Sequence, residues 1–130
     1  MALAASHDFD PRRDPAAAAV LSKAVVRSAQ LLGLSQQQLA GVIGVSPATV
    51  SRLAAGNYVL SAERAKEWEL ARLFVRLFRS LDALWGHDTQ AKIWLTSPNL
   101  ALAARPMELL NTVEGLVRVV AYLDAARGRV

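Results

Sequence analysis

The sequence predicts an all-α fold: an N-terminal helix-turn-helix bundle, a long helix, and a small C-terminal helical domain. Three observations lead there. Only 7 Gly and 5 Pro occur in 130 residues, and long stretches lack both, which favours helices with short connections over a many-turned β fold. No window shows the strict apolar–polar alternation of a half-buried strand. Apolar residues instead recur at three- and four-residue spacing, most clearly at Leu70, Leu73, Phe74, Leu77, Phe78, Leu81, Leu84 and Trp85. With 53% hydrophobic residues the chain can bury a core, as one domain or as two small units that share it.

Each element has its own signals. Residues 1–13 are expected to form a mobile tail. Asp14-Pro15 then opens a helix, with Asp as cap and Pro in the first turn. It should run from Pro15 to Leu32 and stop at Gly33. Ser35-Gln36-Gln37-Gln38 has the form of a capping box, and Leu39, Ala40 and Ile43 give the helix behind it a buried face. Gly44 ends that helix. Ser46-Pro47 opens a third, expected to reach Ala55 before Gly56. Neither short helix would hold together alone, so both must pack on the first.

Ser61 is expected to cap a helix from Ala62 to Trp85, with Arg72, Arg76 and Arg79 on its outer side and Gly86 at its end. Asp88 is placed to cap a short helix through Trp94-Leu95. Thr96-Ser97-Pro98-Asn99 is a turn cluster. Pro106 begins another short helix, and Thr112 caps a last one from Val113 to the region of Ala126. The expected division is a tail at 1–13, a DNA-binding unit at 14–60, a connecting or dimerisation helix at 61–86, and a C-terminal domain at 87–130.

Composition excludes much chemistry. There are no cysteines, hence no disulfides, zinc–thiolate sites or thiol catalysis. His7 and His87 are the only histidines, one in the tail and one at a turn, and Ser46 and Ser51 have no histidine base nearby in sequence. Glu63, Glu67 and Glu69 mix with Arg64 and Lys66 as a solvated face, and no Gly-rich phosphate loop occurs. No catalysis, cofactor or metal is expected. The polar N-terminus lacks a signal-peptide core, and the apolar run from Pro15 meets Lys23 too soon to span a bilayer. A cytoplasmic protein with no membrane partner is therefore expected.

The net charge of +4 lies entirely in residues 1–80, whereas residues 81–130 are neutral. A basic half invites phosphate; a neutral, apolar half invites protein contacts. The stretch Gln36–Gly56 meets the steric demands of a helix-turn-helix. Ala40 is small where two helices must approach, Gly44 tolerates the turn, and Val50 and Leu53 share an inward stripe. The helix after Pro47 would then enter the major groove. Ala48, Thr49, Ser51 and Arg52 point away from the inward stripe and are the candidate base readers. Arg52 can contact guanine through two hydrogen bonds. Gln36, Gln37, Ser46, Asn57 and Tyr58 are candidates for phosphate contacts. One reader charge per chain suggests a homodimer on two half-sites.

This window resembles the Xre family of bacterial repressors, which show a similar Gln-x-x-Leu-Ala…Gly-Val-Ser…Thr-Val-Ser-Arg…Gly pattern. The second half resembles the toxin-binding domain of Xre/ParS-type antitoxins. The matching positions are Trp94, Leu95, Pro98, Asn99, Leu102, Arg105, Pro106, Glu108, Leu109, Leu110, Thr112 and Gly115. Two departures stand out: Ala103-Ala104 replace an expected pair of glycines, and Arg105 runs directly into Pro106. Together the two matches cover residues 20–128. The resemblance implies an antitoxin that blocks access to the active site of a RES-type toxin, an enzyme that consumes NAD, and that represses its own operon through operator DNA.

Within the C-terminal half, the last helix and the short tail beyond it are the candidate toxin-binding elements. Arg118, Tyr122, Arg127 and Arg129 are expected on or beyond its outer face, with Arg105 and the Pro98-Asn99 turn nearby. Leu116, Val117, Val119, Val120 and Leu123 are read mainly as core. Trp68 and Trp85 are candidate interface anchors at the ends of the long helix. A ligand-sensing repressor whose second half binds a small molecule, a dimeric structural DNA binder, and a helical hairpin that binds nothing remain alternatives on the residues alone.

Overall fold

The computed structural model describes residues 14–86 and 88–128. The expected N-terminal tail, His7, His87, Arg129 and Val130 lie outside the described residues. The described chain forms seven helices: α1 Pro15–Leu32, α2 Gln36–Ile43, α3 Pro47–Ala54, α4 Ala65–Trp85, α5 Thr89–Thr96, α6 Pro106–Leu109 and α7 Val113–Gly128. Among those residues the only extended pairing is an isolated antiparallel bridge between Asn99 and Ala104.

The start of α1 follows the sequence signals. Asp14 accepts a hydrogen bond from the Ala16 amide (2.9 Å), and Gly33 closes the helix in the left-handed region at φ 76°. The long helix α4 is the central strut. It packs on α1 and α2 on one side and on α5 and α7 on the other. Ala71, Phe74, Leu77 and Leu81 on α4 are fully buried, as are Ile43, Leu95, Leu116, Val119 and Leu123 from its neighbours. One continuous apolar core therefore runs through both halves.

Gly44 shows why the α2–α3 turn takes glycine. Its φ is 74°, and a Cβ there would lie 3.3 Å from Leu70 Cδ1 on α4. The turn is thus both left-handed and pressed against the strut.

Several expectations need correction. The long helix starts at Ala65, not Ala62, and Ser61 does not cap it. The Ser61 hydroxyl accepts from the Glu63 amide (3.2 Å) and its carbonyl from the Arg64 amide (3.1 Å), so residues 61–64 close a local turn instead. Asp88 occupies the cap position of α5 but makes no capping hydrogen bond. Trp68 is not an interface anchor within this chain's surface: only 4% of it is exposed, and it belongs to the core. Trp85 does remain exposed.

Candidate functional site

The helix-turn-helix is locally well satisfied. Ser35 Oγ accepts from the Gln38 amide (3.0 Å), and Gln38 Oε1 accepts from the Ser35 amide (2.8 Å), which completes the capping box. Gln38 is consumed by this cap, while Gln36 and Gln37 stay exposed at the helix N-terminus. On α3, Ser46 Oγ accepts from the Thr49 amide (3.1 Å). The two hydroxyls also lie 2.9 Å apart, and Arg52 Nη2 donates to Thr49 Oγ1 (3.2 Å).

A polar chain of Ser46, Thr49 and Arg52 therefore runs along the outer face of α3, opposite the buried Val50 and Leu53. Arg52 uses one of its five N–H donors on Thr49 and keeps others for an external acceptor. That contact draws the guanidinium toward the N-terminal end of α3, the end that would face base edges. Ala48 and Ser51 are exposed beside it, and Asn57 is exposed at the helix exit, where its amide donates to the Arg52 carbonyl (2.8 Å).

Tyr58 is engaged within its own chain. Its hydroxyl donates to Glu67 Oε1 (2.7 Å), its ring lies under the Arg64 guanidinium at 4.9 Å, and Arg64 also pairs with Glu67 and donates to the Val59 carbonyl (2.7 Å). Tyr58, Arg64 and the buried Glu67 thus clamp the exit of α3 to the base of α4. Burial first, and then the neighbouring Glu67, push the Tyr58 phenol above its usual pKa.

In the second half, residues 99–104 form a tightly bracketed loop. Asn99 donates its amide to the Ala104 carbonyl (3.0 Å), and its side-chain oxygen accepts from the Leu102 amide (3.0 Å). The Ala103 amide donates to the Leu100 carbonyl (3.3 Å), and Arg118 Nη2 on α7 donates to the Leu102 carbonyl (3.1 Å). Arg105 leaves the loop by donating to the Thr96 carbonyl (3.1 Å) and pairs with Glu108 at 3.6 Å. Ala103 sits at φ 59°, the sole non-glycine in the left-handed region among the described residues. The expected glycine position is thus where the backbone needs one.

The arginines expected on an outer binding face also work inward. Arg118 holds the loop, and Arg127 Nη1 donates to Ser80 Oγ on α4 (3.1 Å). Ser80 in turn donates to Asp124 (3.3 Å), which also pairs with Arg76. Arg127 is therefore part of the α4–α7 seam. Tyr122 is exposed and stacks on Trp94 with 5.9 Å between centroids, and Trp94 stacks on Trp85 at 5.5 Å. This three-ring row joins α4, α5 and α7. Pro98 is exposed beside the loop. Arg129 lies outside the described residues.

Sequence reasoning missed Leu100, which is fully exposed, and Ile93, Val113 and Val117, each about half exposed. A leucine inside an apolar-rich segment reads as core unless the turn around it is known. It also missed how the halves touch: a Cβ on Gly41 of α2 would lie 2.8 Å from Asn111 Oδ1, in the turn before α7. Among the described residues no group of three or more His, Asp or Glu is placed to hold a metal ion. Nor, among them, is any helix long and apolar enough to cross a membrane.

Comparison with known proteins assigns both halves. Residues 11–76 match the antitoxin Xre-like helix-turn-helix domain, and residues 80–129 match the antitoxin Xre/MbcA/ParS C-terminal toxin-binding domain. The mycobacterial cidal antitoxins MbcA of Mycobacterium bovis and of Mycobacterium tuberculosis are each 32% identical over 107 residues, covering 82% of this chain and 90% of theirs. The fold is similar to a chain in the crystal structure of the M. tuberculosis MbcT–MbcA toxin–antitoxin complex. There the TM-score is 0.59 at 29% identity, covering 82% of this chain and 92% of that one.

Proposed function

We propose that this chain, which belongs to the Xre/MbcA/ParS antitoxin family, neutralises a RES-type, NAD-consuming toxin through its C-terminal domain. It also represses its own operon through its helix-turn-helix. Its role is binding rather than catalysis, and it acts in the cytoplasm as a homodimer within the toxin complex.

The observation that carries the toxin half is the bracketed loop 99–104. The residues shared with the family's toxin-binding domain are prominent in building it: Asn99 and Arg105 close it and Leu102 anchors it in the core, while Arg118 pins it to α7. A loop held from both sides offers a partner a fixed surface at little entropic cost. The polar chain Ser46–Thr49–Arg52 supports the DNA half. Dimerisation is supported by arithmetic: a single reader arginine supplies only about 1–3 kcal/mol of discrimination, and two half-sites double it.

Co-expression with the product of the neighbouring gene, expected to be the toxin, tests the reading. The two chains should co-purify, and cells should survive toxin induction only when this chain is present. Separate purification with undiminished toxicity would refute it. For the DNA arm, the chain should retard a fragment of its own promoter more strongly than an unrelated fragment at the same salt concentration.

One observation favours a second reading, a ligand-sensing repressor. A groove of about 630 Å³ lies between α1 and α4 rather than in the second half, and Val20, Leu21, Trp68, Leu73, Arg72 and Arg79 line it. Promoter binding that responds to a small acid and not to any toxin would favour that reading.

A further inference from the structure

Leu100 is the most exposed large apolar side chain among the described residues, at 100% of its possible surface. No described residue covers it. Yet the backbone that carries it is among the most tightly held outside the helices. Asn99 brackets the loop with its amide and its side chain, Arg118 grips the Leu102 carbonyl, and Arg105 grips the Thr96 carbonyl. Ala103 completes the loop in a left-handed conformation that disfavours any side chain. Strain and apolar exposure coincide in one six-residue loop, and the exposed leucine adds nothing to the chain's own core.

The immediate surroundings fit a protein pocket. Ala101 and Ala103 beside the leucine are small and exposed, so a partner surface can approach closely. Arg105 and Arg118, which hold the loop at two of its edges, supply a polar rim. An aliphatic side chain on a preorganised loop with a polar rim can seat in a partner's pocket as an anchor. The loop lies inside residues 80–129, which match a toxin-binding domain.

We infer that Leu100 is the apolar anchor this chain inserts into a pocket of its toxin partner, an inference that rests on the toxin-binding reading above. Neither its position within the apolar-rich segment nor the motif residues themselves single it out. The loop geometry does.

The test uses the full chain, a purified RES-type toxin encoded beside it, as the proposed function expects, and the variants Leu100→Ala, Leu100→Met and Leu100→Glu. Because the side chain is fully exposed, all three should fold and melt like the unsubstituted protein. Burial of a leucine side chain predicts toxin affinity reduced about 10- to 100-fold by Leu100→Ala, more by Leu100→Glu, and little by Leu100→Met. Val59→Ala, on a residue 49% exposed in the other half, should leave affinity unchanged. If the unsubstituted chain binds and Leu100→Ala and Leu100→Glu bind within about twofold of it, the anchor is refuted and the toxin-binding reading stands. If the unsubstituted chain does not bind, both fall. If Leu100→Glu changes the mass of the chain alone in sedimentation while toxin affinity holds, Leu100 serves self-association and the inference is overturned.

Discussion

Replacing Ala103 by glycine should stabilise this protein. Ala103 sits at φ 59°, where its Cβ crowds the following carbonyl. For a residue with a side chain that conformation costs about 1–2 kcal/mol. Glycine relieves the crowding but adds backbone freedom to the unfolded chain, which removes about 0.4–1 kcal/mol of the benefit. The net expectation is a gain of about 0.5–1 kcal/mol, or about 2–5 °C in Tm for a chain of this size. Ala101→Gly is the control. It lies in the same loop, is exposed and has no positive φ, so it should lose about 0.4–1 kcal/mol from the entropy term alone. Thermal melts and urea titrations of the three proteins, followed by circular dichroism, measure the difference. If both glycine variants fall below the unsubstituted protein, the left-handed strain at Ala103 is not a real cost and the reasoning fails.

Other substitutions test other parts of the structure. Gly115→Ala would put a Cβ 2.0 Å from the Leu109 carbonyl oxygen and 2.9 Å from Thr112 Oγ1. The start of α7 must then shift, and a loss of at least about 2–3 kcal/mol is expected in a urea titration. Arg52→Ala should weaken binding to the chain's own promoter about 5- to 150-fold at fixed salt, and equal retardation of the fragment would remove Arg52 from base reading. Tyr58→Phe removes the hydrogen bond to Glu67 and should cost about 1–2 kcal/mol. The Tyr58 phenol has a raised pKa in the folded state, so the folded chain holds that proton more tightly than the unfolded one. The stability this supplies is complete below the usual value of about 10 and is lost as pH rises through the higher folded value. The alkaline loss should be shallower in Tyr58→Phe, and identical limbs would contradict the clamp.

Much of the fold was legible because local signals agreed with the global packing. Asp14-Pro15, the Ser35–Gln38 box, Ser46-Pro47 and Thr112 each cap the helix they were expected to cap. The start of α4 was misread for a reason visible only in three dimensions. Ser61 closes a turn on Glu63, and Glu67, in the first turn of α4, is drawn into the contact with Tyr58 and Arg64. The site was less legible than the fold. Spacing indicates which face of a helix a residue occupies, but not whether a long side chain reaches outward or back. Arg118 and Arg127 lie on an accessible face and still use their guanidinium groups on Leu102 and Ser80. Leu100 shows the converse, since hydropathy cannot distinguish a leucine turned outward from one turned inward.

The proposed shutdown of a NAD-consuming toxin by the C-terminal domain has a direct test. It is the loss of NAD catalysed by the purified product of the neighbouring gene, measured while this chain is titrated in. NAD consumption should fall in proportion to the chain added and cease once the toxin is saturated. Consumption that continues unchanged at saturating amounts of the chain would contradict the account.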